Sequence, residues 1–104
     1  MRPKQFKEIT DWQFRTFVNS TPLANIEHLK EEVEELRNAI FHEHGEQEIR
    51  HEFADCFILL YGAAAAHGIS YDAITDLIQE KFEIIKQRQW QKADKNGVIR
   101  HKKI

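Results

Sequence analysis

No disulfide can close a loop inside this chain, because Cys56 is its only cysteine. Only two prolines and four glycines punctuate its 104 residues, and internal repeats, low-complexity stretches and long linkers are all missing. Excess positive charge is missing too. With a net charge of −2, no overall field favours a nucleic-acid polymer or an anionic membrane as partner. The longest apolar run, Phe53 to Ala66, is 14 residues, short of the about twenty that span a bilayer. The opening Met1-Arg-Pro-Lys-Gln-Phe-Lys-Glu8 holds no apolar signal-peptide core. These absences lead to the expectation of a single cytoplasmic domain over residues 1–104, with a basic tail over 93–104.

One charge interrupts that apolar run: Asp55. A helix apolar on every side is expected to be buried. A lone carboxylate there is costly unless it is paired, protonated or bound to metal. Glu52 stands one turn earlier, giving Glu-x-x-Asp, and Glu32 and Glu35 repeat the spacing as Glu-x-x-Glu. An i, i+3 interval puts each pair on one helical face. Two such pairs on neighbouring helices make a four-carboxylate, oxygen-only pocket, suited to Mg²⁺ or Mn²⁺.

The pattern predicts an all-α fold of four helices. Thr10-Asp-Trp-Gln13 matches a capping box and predicts the start of a short first helix carrying Phe14, Phe17 and Val18. Asn19 to Pro22 breaks it. The second helix is expected from about Asn25 to Phe41, on the stripe Ile26, Leu29, Val33, Leu36 and Ile40, with Gly45 as the left-handed residue after its end. The third is expected from about Gln47 to His67. The fourth, capped by Ser70, is expected to reach about Trp90. Its inward stripe is Ile74, Leu77, Ile78 and Ile85, and Lys81 and Arg88 fall within roughly 40° of Ile74 on the same wheel. Long cations on such a stripe call for an acidic or phosphate partner.

A short turn near Gly45 would make helices two and three a central antiparallel pair. Glu32 and Glu35 lie 13 and 10 residues before Gly45, and Glu52 and Asp55 lie 7 and 10 after it. The pairs therefore come to within about one turn of the same height. Glu35 points further round its helix than Glu32 and would need cover from another helix or subunit. One such bundle cannot enclose a third helix apolar all round, so at least a homodimer is expected.

Glu31-Glu32-x-x-Glu35-Leu36, Glu52-x-x-Asp55, and Lys81 with Arg88 resemble the MazG-like all-α nucleoside triphosphate pyrophosphatases. The dATP/dGTP diphosphohydrolase branch found in bacteria and phages is similar also in His28-Leu29, Glu52-Phe-Ala-Asp55, Arg88-x-Trp90, Gly97-Val98 and His101. The resemblance implies Mg²⁺-dependent hydrolysis of a nucleoside triphosphate to monophosphate and pyrophosphate, in nucleotide-pool control or housecleaning. It implies Glu32, Glu35, Glu52 and Asp55 as metal ligands, Lys81 and Arg88 as phosphate contacts, and oligomers. Glu31, beside the metal motif, is a candidate for orienting water. Many members place Asn four residues after the lysine, where this chain has Ile85.

Plainer readings stand beside these. Glu-rich helices usually just face solvent, and a salt bridge from Asp55 to Lys81 or Arg88 would also account for a buried carboxylate. A non-catalytic helical adaptor or nucleotide sensor that keeps the carboxylates is the alternative function. Glu48-x-x-His51 is a single copy of a di-iron motif that needs two. His42 and His44 fit a solvated loop, Trp12 and Trp90 fit packing, and the basic tail is either a disordered end or a flap over phosphates.

Overall fold

Proline opens each of the first two helices, its fixed φ and missing N–H suiting the first turn. The computed structural model describes residues 1–102, and its helices are α1 (Pro3–Thr16), α2 (Pro22–Phe41), α3 (Glu46–Ala66) and α4 (Tyr71–Gln87). The chain divides into two compact units, one ending at Asp72 and one beginning at Ala73.

α1 starts well before the expected capping box, so Thr10 and Gln13 lie inside it and are buried. The Thr10 hydroxyl donates back to the Phe6 carbonyl at 2.9 Å, the i−4 bond open to a mid-helix threonine. Phe6, Thr10 and Gln13 form one face, at spacings of four and three, that packs on α3. The Phe6 ring meets Tyr61 edge-on at 5.8 Å and Tyr71 at 5.5 Å, and the Tyr71 hydroxyl donates to the Met1 carbonyl. The Gln13 side chain donates to the Ile58 carbonyl at 3.2 Å.

α2 begins at Pro22, three residues earlier than expected, with the Thr21 hydroxyl accepting from the Ala24 N–H at 3.1 Å. The turn after it places Glu43, not Gly45, in the left-handed region, at φ 53°; Gly45 has φ −57° and leads into α3. This short turn folds α3 back along α2 as its main packing partner. Gly68, at φ 90°, follows the end of α3.

α3 is not buried all round. α1 and α2 cover one side, while Phe53, Phe57 and Leu60 remain 43%, 56% and 51% exposed, and Asp55 is exposed with them. No single helix among the described residues is long and apolar enough to cross a membrane.

In the second unit, α4 ends at Gln87, short of Trp90, and Leu77 and Ile78 of its expected inward stripe are exposed. Beyond it the tail forms an ordered hairpin. Trp90 and His101 make an antiparallel bridge, the Gln91 N–H donates to the Arg100 carbonyl at 2.7 Å, and the Lys102 N–H donates to the Gln89 carbonyl at 2.6 Å. Asp94 organises the turn. Its carboxylate accepts from the Asn96 and Val98 N–H groups at 2.8 and 3.0 Å and from Arg100 at 2.7 Å, and Gly97 supplies φ 81°. Lys103, the last basic residue of the expected tail, lies outside the described residues.

Candidate metal centre

Three of the four expected carboxylates converge. Glu32 on α2 and Glu52 and Asp55 on α3 each bring one oxygen to within 4.8 Å of the other two. The α2–α3 reversal produces this: Glu32 precedes the turn, Glu52 and Asp55 follow it, and the i, i+3 step points the latter two the same way. Glu32 Oε2 and Glu52 Oε2 are buried with no hydrogen-bond partner. Buried carboxylate oxygens are ordinarily satisfied, and these two face further acid instead of a donor.

The electrostatics report the same crowding. The Glu32 carboxyl is held above its usual pKa first by a side-chain hydrogen bond with Glu35, then by burial and by the charges of Glu35, Asp55 and Glu52. Burial raises Glu52 first, followed by the charges of Glu35, Asp55 and Glu48, with His44 pulling the other way. Burial and the charges of Glu32, Asp55, Glu52 and Glu35 push the Cys56 thiol up. Like charges gathered at partly desolvated positions resist ionisation. A divalent cation relieves that resistance, so the donor set fits a hard, oxygen-seeking metal.

Glu35 does not join the three. It is exposed on α2 and acts on the centre through its hydrogen bond to Glu32 and its charge. Glu31 is also exposed on α2, outside the cluster. Lys81 lies exposed on α4, and Arg88 lies half-buried just past the end of that helix, in the second unit. The di-iron-type pair is not assembled: Glu48 faces His44 at 3.2 Å, while His51 meets Gln47 at 2.9 Å. His28 Nε2 stands 3.5 Å from Glu32 Oε1, a neighbour of the centre that the i, i+4 spacing announces. Gln13 was legible only as a helix cap, and nothing in its local sequence marks it as a buried amide.

Residues 5–103 match the profile of the dATP/dGTP pyrophosphohydrolase family. Among solved structures, the chain is similar to a cyanophage S-2L MazG-like pyrophosphohydrolase, described as bound to dGDP and three catalytic Mn²⁺ ions per active site. The two are 26% identical, with a TM-score of 0.75 over 99% of each chain. No curated protein matches the chain.

Proposed function

The chain belongs to the dATP/dGTP pyrophosphohydrolase family, and we propose that it hydrolyses a deoxynucleoside triphosphate between the α- and β-phosphates, yielding monophosphate and pyrophosphate with Mg²⁺ or Mn²⁺. Membership makes it a nucleoside triphosphate pyrophosphatase with deoxynucleotides as its substrate class. The observation that carries the reaction is the trio Glu32, Glu52 and Asp55, with two buried oxygens that no group of the chain satisfies.

In this reading Glu32, Glu52 and Asp55 hold the metal, and Glu35 completes the set once a rotamer change turns it inward. When bound, the metal offsets triphosphate charge and lowers the pKa of a water molecule. Lys81 and Arg88 meet the negative charge of the phosphates. Glu31, one residue before the first ligand, orients the attacking water. The exposed Phe53, Phe57 and Leu60 are covered by a second copy of the chain, and a stable monomer in sedimentation at micromolar concentration would contradict this.

The test is a panel of NTPs and dNTPs with Mg²⁺ or Mn²⁺, read for both products. Equimolar monophosphate and pyrophosphate are expected. Release of orthophosphate alone, or no metal-dependent turnover of any substrate, would overturn the assignment.

A further inference from the structure

Among the described residues, His28 is the one basic side chain paired with any of the three clustered carboxylates. Its Nε2 stands 3.5 Å from Glu32 Oε1, across an i, i+4 step of α2. Lys7–Asp11, His44–Glu48 and Arg50–Glu46 share that step, and in each of them the acid is 44% exposed or more. Those are pairs between solvated groups, of the kind that contribute little. Glu32 is only 19% exposed, while His28 is 49% exposed. Here a base at the rim reaches in to a largely covered carboxylate.

The two oxygens of Glu32 therefore have separate surroundings. Oε1 faces back along α2 to His28, and Oε2 is buried without a hydrogen-bond partner. The last torsion of a glutamate is broad and roughly two-fold, so an untethered carboxylate can turn either oxygen, or both, toward a cation. A donor on Oε1 removes that freedom and leaves Oε2 as the oxygen free for the centre.

Glu35, one turn further on, also hydrogen-bonds Glu32, but ionised carboxylates are acceptors only. Once both are ligands, the donor left beside Glu32 is His28. The imidazole needs no charge for this, because the neutral ring carrying its proton on Nε2 already donates there. At 3.5 Å the contact is long for a hydrogen bond, as such contacts often are before their site is loaded.

Resting on the proposed reaction, we propose that His28 is a positioning residue for the metal centre: its Nε2–H holds Glu32 Oε1 on α2, so that Oε2 is the oxygen offered to the cation.

Mn²⁺ titration, followed by the electron paramagnetic resonance of the free ion, tests this without any turnover. His28→Ala should weaken Mn²⁺ binding about tenfold to a hundredfold, the loss typical when the group orienting a metal ligand is removed. Its metal-free thermal midpoint should not fall. His28→Gln, whose amide N–H has about the reach of the ring Nε2, should restore most of the affinity. His28→Asn, which reaches only as far as Nδ1, should not. Unchanged Mn²⁺ affinity in His28→Ala would overturn the inference and leave a surface pair. So would a Gln variant as weak as the Ala variant, which would make the ring itself a ligand. A metal-free midpoint that falls along with the affinity would also overturn it, making His28 a structural residue of α2. These three results leave the reaction untouched, since it stands or falls on pyrophosphate release. A wild type that takes up no Mn²⁺ would overturn the positioning role together with the metal reading beneath it.

Discussion

A Cβ on Gly62 would stand 2.6 Å from both terminal atoms of the Gln13 amide. The two residues come from α1 and α3 and touch only because position 62 has no side chain. Gly62→Ala therefore has to displace a buried amide that is hydrogen-bonded to the Ile58 carbonyl. The expected cost is about 1–3 kcal/mol, the range for overpacking a closed core, read as a lower denaturation midpoint. Adding Gln13→Ala to Gly62→Ala should recover part of that loss, because the clash and its partner vanish together. Strictly additive losses would show that the two positions are not coupled.

Asp55→Asn separates ligand from scaffold. Asp55 is exposed and adds negative charge beside Glu32 and Glu52, so neutralising it relieves repulsion in the metal-free protein. The expected outcome is loss of metal-dependent turnover with the fold intact or slightly more stable. Wild-type thermal stability should rise with Mg²⁺ by mass action, and the variant should forfeit most of that rise. A wild type indifferent to Mg²⁺, together with a variant destabilised by about 3–5 kcal/mol, is the signature of a broken buried ion pair and would remove Asp55 from the metal site.

Where one periodicity had a single consistent outcome, the sequence was readable. The spacings of Glu32, Glu52 and Asp55 around a short turn left little freedom, and those three meet. Signals with two physical uses misled. Thr10 and Gln13 match a capping box, but a threonine can also bond back within a helix, and Pro3 was the stronger start signal. Gly45 could serve either side of the turn, and Glu43 took the left-handed position instead. Asp94, three residues before Gly97, announced a turn, but the pairing of Trp90 with His101 across it depends on contacts that no local pattern encodes. Asp55 is exposed for a related reason: a helix apolar all round does not state which of its sides the rest of the chain covers.

Protons should compete with metal at this centre, and the sign can be fixed. Glu32 is held above its ordinary value of 4.5, first by hydrogen bonding with Glu35, and Glu52 is held above the same value, first by burial. A carboxyl with a raised folded pKa binds its proton more tightly folded than unfolded. Its contribution is fully present below the unfolded value and is lost as pH rises through the folded one. Without metal, the thermal midpoint should therefore fall between about pH 4.5 and neutrality as these groups ionise against one another. Asp94 runs the opposite way. Arg100 first, then the Val98 and Asn96 N–H groups, hold it below 3.8, so its contribution is present above that value and is lost only on stronger acidification. Saturating Mg²⁺ should abolish the fall toward neutrality, because a bound cation favours ionised ligands, and Mg²⁺ affinity should weaken as pH drops through the raised values. Glu52→Gln locates the effect: without that carboxyl, the metal-free midpoint should change less over the same interval. Melting curves across that range, with and without Mg²⁺, measure all of this. A metal-free midpoint that climbs toward neutral pH in the wild type would mean that the three carboxylates do not crowd one another in solution.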